Sequence, residues 1–520
     1  MQNHRLNYAC GSIFYCTRRF RISSYENACS LHIRLRCLLQ ICVVGTSDAT
    51  DGPQRPLLFI PGILGSKLAD GAGNTVCGDR NSLSNYAKLD IPPGAGGNGL
   101  KVTGLISNIN VLGPFWTIHQ YDDLIGLLHD LGFENGKTLF IFPYDWRLSN
   151  FETATRLESF VHDTPLLRDG NFDIVAHSIG GVVTRIWMNQ HGGAAKAHKV
   201  IYLGTPFLGS MNSLETISNG WGTFANLVAG GLGTIRHVTL SFPSIYESFP
   251  TYVDCCREGT KAKFSPYDIL DPDNWKGTWL PAEYRAGGAR RQVLASGLEN
   301  AGKLRSIMAT PPTVQEIKVT GDVIDTKLWL YTPDRTAGPD SWSFTSSRGD
   351  GTVPIWSAAA NFKNLEGTDP SFVEHSTIFA DKYVRSRIAR ELVPGTAPPV
   401  AAPTLGEIET ADGTRHLSSV STRIDPPVAI PDSKANLIID MTFAESISSG
   451  TVNPTTELVG DTSTTRIDVS EATSRSDNHL EFRGALVAPL REDTFEVRVS
   501  IPDQGTTSIY LTVSAKAATK

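Results

Sequence analysis

Between residues 55 and 205, short unbroken apolar runs alternate with stretches whose apolar positions recur every three or four residues. Runs at 57–60, 138–142, 172–176 and 200–203, and another at 317–320, read as strands buried on both faces. Within 121–131, Leu124, Leu127, Leu128 and Leu131 share one face of a helix. Alternation of this kind predicts a parallel sheet covered by helices on both sides. From 211 to about 315 the strand rhythm is lost, and Trp221, Phe242, Ile245, Tyr246 and Phe249 stand among many glycines. That insertion reads either as a cap or lid over the sheet or as a subdomain with a small core of its own. A proline-rich linker at 395–404 follows. Beyond it, alternating segments at 437–443, 465–469, 480–490, 494–501 and 508–513 predict a β sandwich over 405–520.

A chain of 520 residues calls for two to four domains. Its net charge of −6, without a basic stripe, argues against a nucleic-acid partner. No apolar run reaches the roughly 18 residues a membrane-spanning helix needs. The first 47 residues stand apart, with six arginines against the single acid Glu26 and five of the eight cysteines. They read as a weak secretory core at 35–44, as an Arg-rich transit peptide, or as a stretch outside the working protein, which is the preferred reading. Cys77, Cys255 and Cys256 show no metal-ligand spacing. The chain carries no Asn-x-Ser/Thr acceptor, which tilts the expectation toward a cytoplasmic protein and away from a secreted glycoprotein.

Candidate chemistry centres on Phe172-Asp173-Ile174-Val175-Ala176-His177-Ser178-Ile179-Gly180-Gly181, an apolar strand running into a serine and then a helical pattern at 182–190. This is the layout of a nucleophile elbow, whose tight turn demands small residues two before and two after the serine; Ala176 and Gly180 meet the demand. The motif alone does not assign catalysis. A serine hydroxyl needs a base, and the base needs a carboxylate to fix its tautomer. Downstream lie Asp350, in Arg348-Gly349-Asp350-Gly351, and His375, in Phe372-Val373-Glu374-His375-Ser376, giving the order Ser, Asp, His. Asp322, after the 317–320 run, is the rival for the acid; His177 reads as structural, and His191, His198 and His237 fit no base position. The run ending Pro61-Gly62-Ile63 offers one oxyanion donor in the Ile63 amide, and the Ile179 amide offers the other. The expected fold class is α/β: an α/β-hydrolase parallel-sheet core over 48–394 with an inserted cap or lid at about 211–315, then a C-terminal all-β sandwich-like domain.

Six blocks in order resemble the lecithin:cholesterol acyltransferase family, which includes lysosomal phospholipase A and phospholipid:diacylglycerol acyltransferases. They are Pro61-Gly62-Ile63-Leu64-Gly65-Ser66, Phe142-Pro143-Tyr144-Asp145-Trp146-Arg147, Ala176 to Gly181, Gly204-Thr205-Pro206-Phe207-Leu208-Gly209-Ser210, Gly349-Asp350-Gly351-Thr352-Val353-Pro354 and Glu374-His375. The resemblance implies serine-dependent acyl transfer from a lipid ester to an alcohol or to water, at a membrane or lipid-particle surface, with no metal or organic cofactor. Ser178, Asp350 and His375 are the implied catalytic residues, and Trp146, Phe207 and Trp221 the expected pocket residues. Asp145 and Arg147 also suit a buried ion pair that orders a loop. Two other functions stay open: a general carboxylesterase for soluble esters, and a lipid-binding pseudoenzyme.

Overall fold

The computed structural model describes residues 55–513 apart from 80–81, 95, 107–108, 111–116, 119, 222, 261–262, 362–364, 366, 401–406, 411–412, 426–427, 444–445, 449, 460–463, 473–477, 492 and 503–504. The N-terminal 47 residues, and part of the expected linker, lie outside the described residues. Six strands form the central sheet: β1 (Leu57–Ile60), β2 (Leu139–Ile141), β3 (Phe172–His177), β4 (Ala197–Leu203), β5 (Gln315–Gly321) and β6 (Thr368–Ser371). Their spatial order is β6-β5-β4-β3-β1-β2, and every pairing is parallel. The fold is thus the expected α/β class.

The period of two along β1 explains how the sheet is covered. Leu58 and Ile60 join an apolar cluster on one face with Leu157, Val161, Val183 and Ile186. Leu57 and Phe59 join a separate cluster on the other, with Leu124, Leu128, Val384 and Ile388. Helices Asn150–Asp163 and Ile179–Gln190 therefore cover the first face, and Gln120–Asp130 and Lys382–Leu392 the second. Two of these starts are set by side-chain caps. Ser149 Oγ accepts from the Phe151 amide at 3.2 Å, and Asp381 Oδ1 accepts from Tyr383 N at 2.7 Å.

The insertion after Ser210 is short helices, including Asn212–Asn219, Leu232–Thr239 and Pro243–Tyr246, followed by the long helix Arg291–Ala309. Ile235, Val238, Phe242, Tyr246 and Phe249 belong to the same apolar cluster as Leu58 and Ile60. The segment is thus built into the main core. The loss of strand rhythm there is also incomplete. Cys256–Gly259 and Phe264–Pro266 pair with Ile324–Thr332 and Ser343–Gly349 in a second, four-stranded sheet.

The C-terminal segment forms two five-stranded sheets. One runs Glu407–Thr410, Gly413–Asp425, Lys434–Phe443, His479–Val487, Val469–Glu471; the other Val428–Ala429, Gly505–Val513, Asp493–Ile501, Thr455–Val459, Thr464–Ile467. Leu437 and Ile439 from the first and Val497 and Leu511 from the second share one core, which makes a sandwich. That core also takes in Val323, Ile324 and Phe372 of the α/β segment.

Candidate active site

β3 delivers Ser178 at its C-terminal end. The serine has φ 54° and ψ −130°, a conformation a non-glycine residue holds only where its surroundings enforce it. Enforcement is visible on both sides: Ser178 N donates to Leu203 O on β4, and Gly181 N donates back to Ser178 O, both at 2.9 Å. A Cβ on Gly180 would overlap the carbonyl oxygens of Ile60 and Pro61, so the small residue two after the serine is a packing requirement.

The acid follows the strand Ser343–Gly349 and the histidine follows β6. His375 Nε2 lies 2.8 Å from Ser178 Oγ, and its Nδ1 lies 2.7 Å from Asp350 Oδ2. Asp350 is fully buried; its Oδ1 accepts from the amides of Thr352 (3.0 Å) and Val353 (2.6 Å), and its carbonyl from His375 N (2.8 Å). These bonds fix both the carboxylate and the ring it faces. Asp322 is engaged elsewhere, in a bidentate pair with Arg348 Nε and Nη2.

Sequence reading missed a second line of hydrogen bonds behind the serine. Gly62 N donates to Tyr121 Oη (2.9 Å), and Tyr121 Oη lies 2.8 Å from His177 Nδ1. His177 Nε2 lies 3.1 Å from the His375 carbonyl. A carbonyl only accepts, so Nε2 carries the proton, Nδ1 accepts from the tyrosine, and every donor is used once. Burial holds the His177 imidazole well below the usual histidine range, hence neutral, as this tautomer requires. His177 is structural, as expected, but its structural task is to tie the Gly62 turn to the backbone of His375. No local motif could reveal this, because the partners come from three separate segments.

A cavity of about 600 Å³ opens above Ser178. Ile63, Ile179, Trp146, Trp221, Phe242 and Ile245 line one part of it. Gly62, which precedes Ile63, packs against the serine, since a Cβ on it would stand 2.7 Å from Ser178 Cβ, and Ile179 follows Ser178 directly in the chain. Neither amide donates to an acceptor among the described residues. Trp146 is held by its Nε1 on Ser66 O (3.2 Å), and Trp221 sits edge-on against Tyr86. Phe207 corrects the expectation, since it does not line the cavity. It packs against the Tyr202 ring (4.9 Å) beneath the Arg185 guanidinium (4.7 Å), and Pro206 takes the lining place instead. The Asp145–Arg147 pair is buried and bidentate, and Arg147 Nη1 also holds Leu89 O and Asn98 Oδ1, each at 2.8 Å. Among the described residues, no group of three or more His, Cys, Asp or Glu side chains is placed to hold a metal, and no helix is long and apolar enough to cross a membrane.

Residues 98–276 match the family model described as lecithin:cholesterol acyltransferase. That span includes Ser178 and ends before Asp350 and His375. The chain is similar to Phospholipase A(1) LCAT3 of Arabidopsis thaliana, with 27% identity over 161 residues, covering 27% of this chain and 35% of that protein. Lecithin-cholesterol acyltransferase-like 4 of the same organism is 28% identical over 142 residues, covering 25% of this chain and 26% of its own length. The chain thus spans about a third or less of the curated relatives it matches. Among solved structures, the Tle4–Tli4 complex aligns at 15% identity over 66% of this chain and 99% of that one, with a TM-score of 0.42. The mature form of Bacillus licheniformis lipase BlEst2 aligns at 12% over 66% and 94%, with a TM-score of 0.33.

Proposed function

We propose that this chain, which is related to the lecithin:cholesterol acyltransferase family, cleaves an acyl ester of a glycerolipid or phospholipid through a serine-bound acyl intermediate. Ser178 Oγ attacks the ester carbonyl while His375 Nε2 takes its proton, and Asp350 holds Nδ1–H and stabilises the imidazolium. The amides of Ile63 and Ile179 receive the oxyanion. Collapse breaks the ester bond, and His375 returns the proton to the departing alcohol. Water or a second alcohol then attacks the acyl-serine by the same route, releasing a fatty acid or a new ester. The observation that carries this reading is the continuous Ser178–His375–Asp350 contact, at 2.8 and 2.7 Å, on the floor of a cavity with an apolar side.

The test is product analysis on phosphatidylcholine vesicles with and without a long-chain alcohol, comparing the full chain with Ser178→Ala. Ser178-dependent free fatty acid supports hydrolysis, and Ser178-dependent acylated alcohol supports transfer. Turnover of soluble esters alone would point to a general carboxylesterase. Fluorophosphonate labelling that survives Ser178→Ala would overturn the nucleophile assignment.

A further inference from the structure

The cavity above Ser178 is not closed by the α/β segment alone. Thr422 and Ile424, on the strand Gly413–Asp425 of the C-terminal sandwich, also line it. Polar groups line the same cavity: Asn212, Glu215 and Thr216 on the helix Asn212–Asn219, and Asp325 and Lys327 on the strand Ile324–Thr332, with Glu215 within electrostatic reach of Asp325 and Lys327. The join between the two segments is apolar and continuous. Ile324 pairs with Gly349 and bridges to Asp350, and its side chain belongs to the sandwich core with Leu417, Val420 and Ile424. Phe372, three residues before His375, belongs to that core as well. The sandwich therefore packs against residues flanking both the acid and the histidine.

Thr422 is the anomaly in this wall. It is 3% exposed, and its hydroxyl has no hydrogen-bond partner among the described residues. A buried hydroxyl left unpaired destabilises the fold, so a valine would serve better if packing were the only task. As it stands the hydroxyl is sealed from the cavity, and an exchange with the methyl between staggered χ1 wells, at little change in volume, is what would bring it to the lipid. Lys327 forms no ion pair within 4.0 Å among the described residues, though its ammonium acts electrostatically on the nearby Glu215 carboxyl.

We propose that the C-terminal sandwich is a working wall of the active-site cavity, and that the Thr422 hydroxyl binds an ester or phosphate oxygen in the polar part of the lipid substrate. This rests on the Ser178-dependent reaction above. It gives the sandwich a role in substrate selection that neither a stabilising nor a surface-targeting module would have.

The test compares Thr422→Val and Thr422→Ser in the full chain, on phosphatidylcholine and on diacylglycerol vesicles. Loss of one hydrogen bond made in both ground and transition states should raise KM about tenfold with kcat changed less than about threefold. Thr422→Ser, which keeps the hydroxyl, should restore the wild-type KM. A penalty on both lipids would place the contact at a glycerol ester oxygen; a penalty on phosphatidylcholine alone would place it at the phosphate. The melting temperature of Thr422→Val should equal or exceed that of the wild type, because the unpaired hydroxyl is gone. Wild-type KM on both lipids in Thr422→Val, or a rise in kcat on removing the hydroxyl, would overturn the proposal. Absence of Ser178-dependent turnover on any ester would instead refute the reaction itself.

Discussion

Gly204 ends β4 at the point where the acid and histidine meet, and replacing it by alanine tests the geometry of that meeting. Its φ is +58°, and an added Cβ would stand 2.9 Å from His375 Nδ1 and 3.0 Å from Asp350 Oδ2. Those two atoms are joined by the 2.7 Å hydrogen bond that orients the imidazole. Two costs follow. The left-handed backbone costs alanine about 1–2 kcal/mol of stability. The methyl also has to push the ring or the carboxylate aside by a few tenths of an ångström, at a contact that has no slack. Misplacing a catalytic group by about 1 Å costs roughly 10²-fold, and losing the orienting carboxylate costs about 10⁴-fold. Gly204→Ala should therefore lower kcat/KM by about ten- to a hundredfold, equivalent to about 1.4–2.7 kcal/mol. Gly192→Ala supplies the control, because that residue has φ +75° with nothing within 4 Å of an added Cβ. It bears the backbone cost without the collision. The assay is burst-phase acylation by a short p-nitrophenyl ester, read beside the melting temperature. Both variants should melt a few degrees lower, with Gly192→Ala near wild-type activity. If Gly204→Ala keeps kcat/KM within about threefold of the control, the histidine–aspartate contact is not what sets the rate.

Four further substitutions probe the surroundings. Tyr121→Phe removes the acceptor of Gly62 N–H and the donor to His177, stranding two buried groups at about 1–3 kcal/mol each. It should lower the melting temperature and reduce kcat about tenfold; an unchanged kcat would confine Tyr121 to packing. Asp350→Asn should cost about 10⁴ in kcat, whereas Asp322→Asn, which breaks only the pair with Arg348, should lower the melting temperature and leave kcat within about threefold. Steady-state kinetics on a soluble ester separates the two, and a reversed ranking would make Asp322 the acid. Burial pushes the Glu247 carboxyl up to about 7, against the donors Ser149 Oγ, Asn150 N and Asn300 Nδ2. The folded chain thus holds this proton more tightly than the unfolded chain, whose carboxyl titrates near 4.5. The stabilisation is complete below 4.5 and is lost as pH rises through 7, with an upper bound of about 3 kcal/mol. The melting temperature should fall from pH 5 to pH 8, and less steeply in Glu247→Gln; parallel curves would refute the assignment.

What the sequence displayed, and what it hid, follows from how each feature is encoded. β1 and β3 were legible because parallel strands covered on both faces must be apolar throughout, and the elbow because its turn excludes side chains at Gly180. Phe207 was misplaced because a family block gives the position of a residue but not the face it presents, and here the ring lies under Arg185, outside the cavity lining. The strand Gly413–Asp425 was not expected at all, for two identifiable reasons. Its pairing with Lys434–Phe443 slips between Leu417 and Ser419, so the buried Leu417 and Val420 lie three apart and the period of two is broken. Beyond the slip the alternation resumes at Val420, Thr422 and Ile424, all buried, but its middle member is polar. Threonine itself suits a strand, but with Thr422 polar only Leu417, Val420 and Ile424 remain as apolar markers among thirteen residues. The alternation is therefore too sparse to read from the sequence, although the strand it belongs to brings Thr422 and Ile424 to the cavity of Ser178.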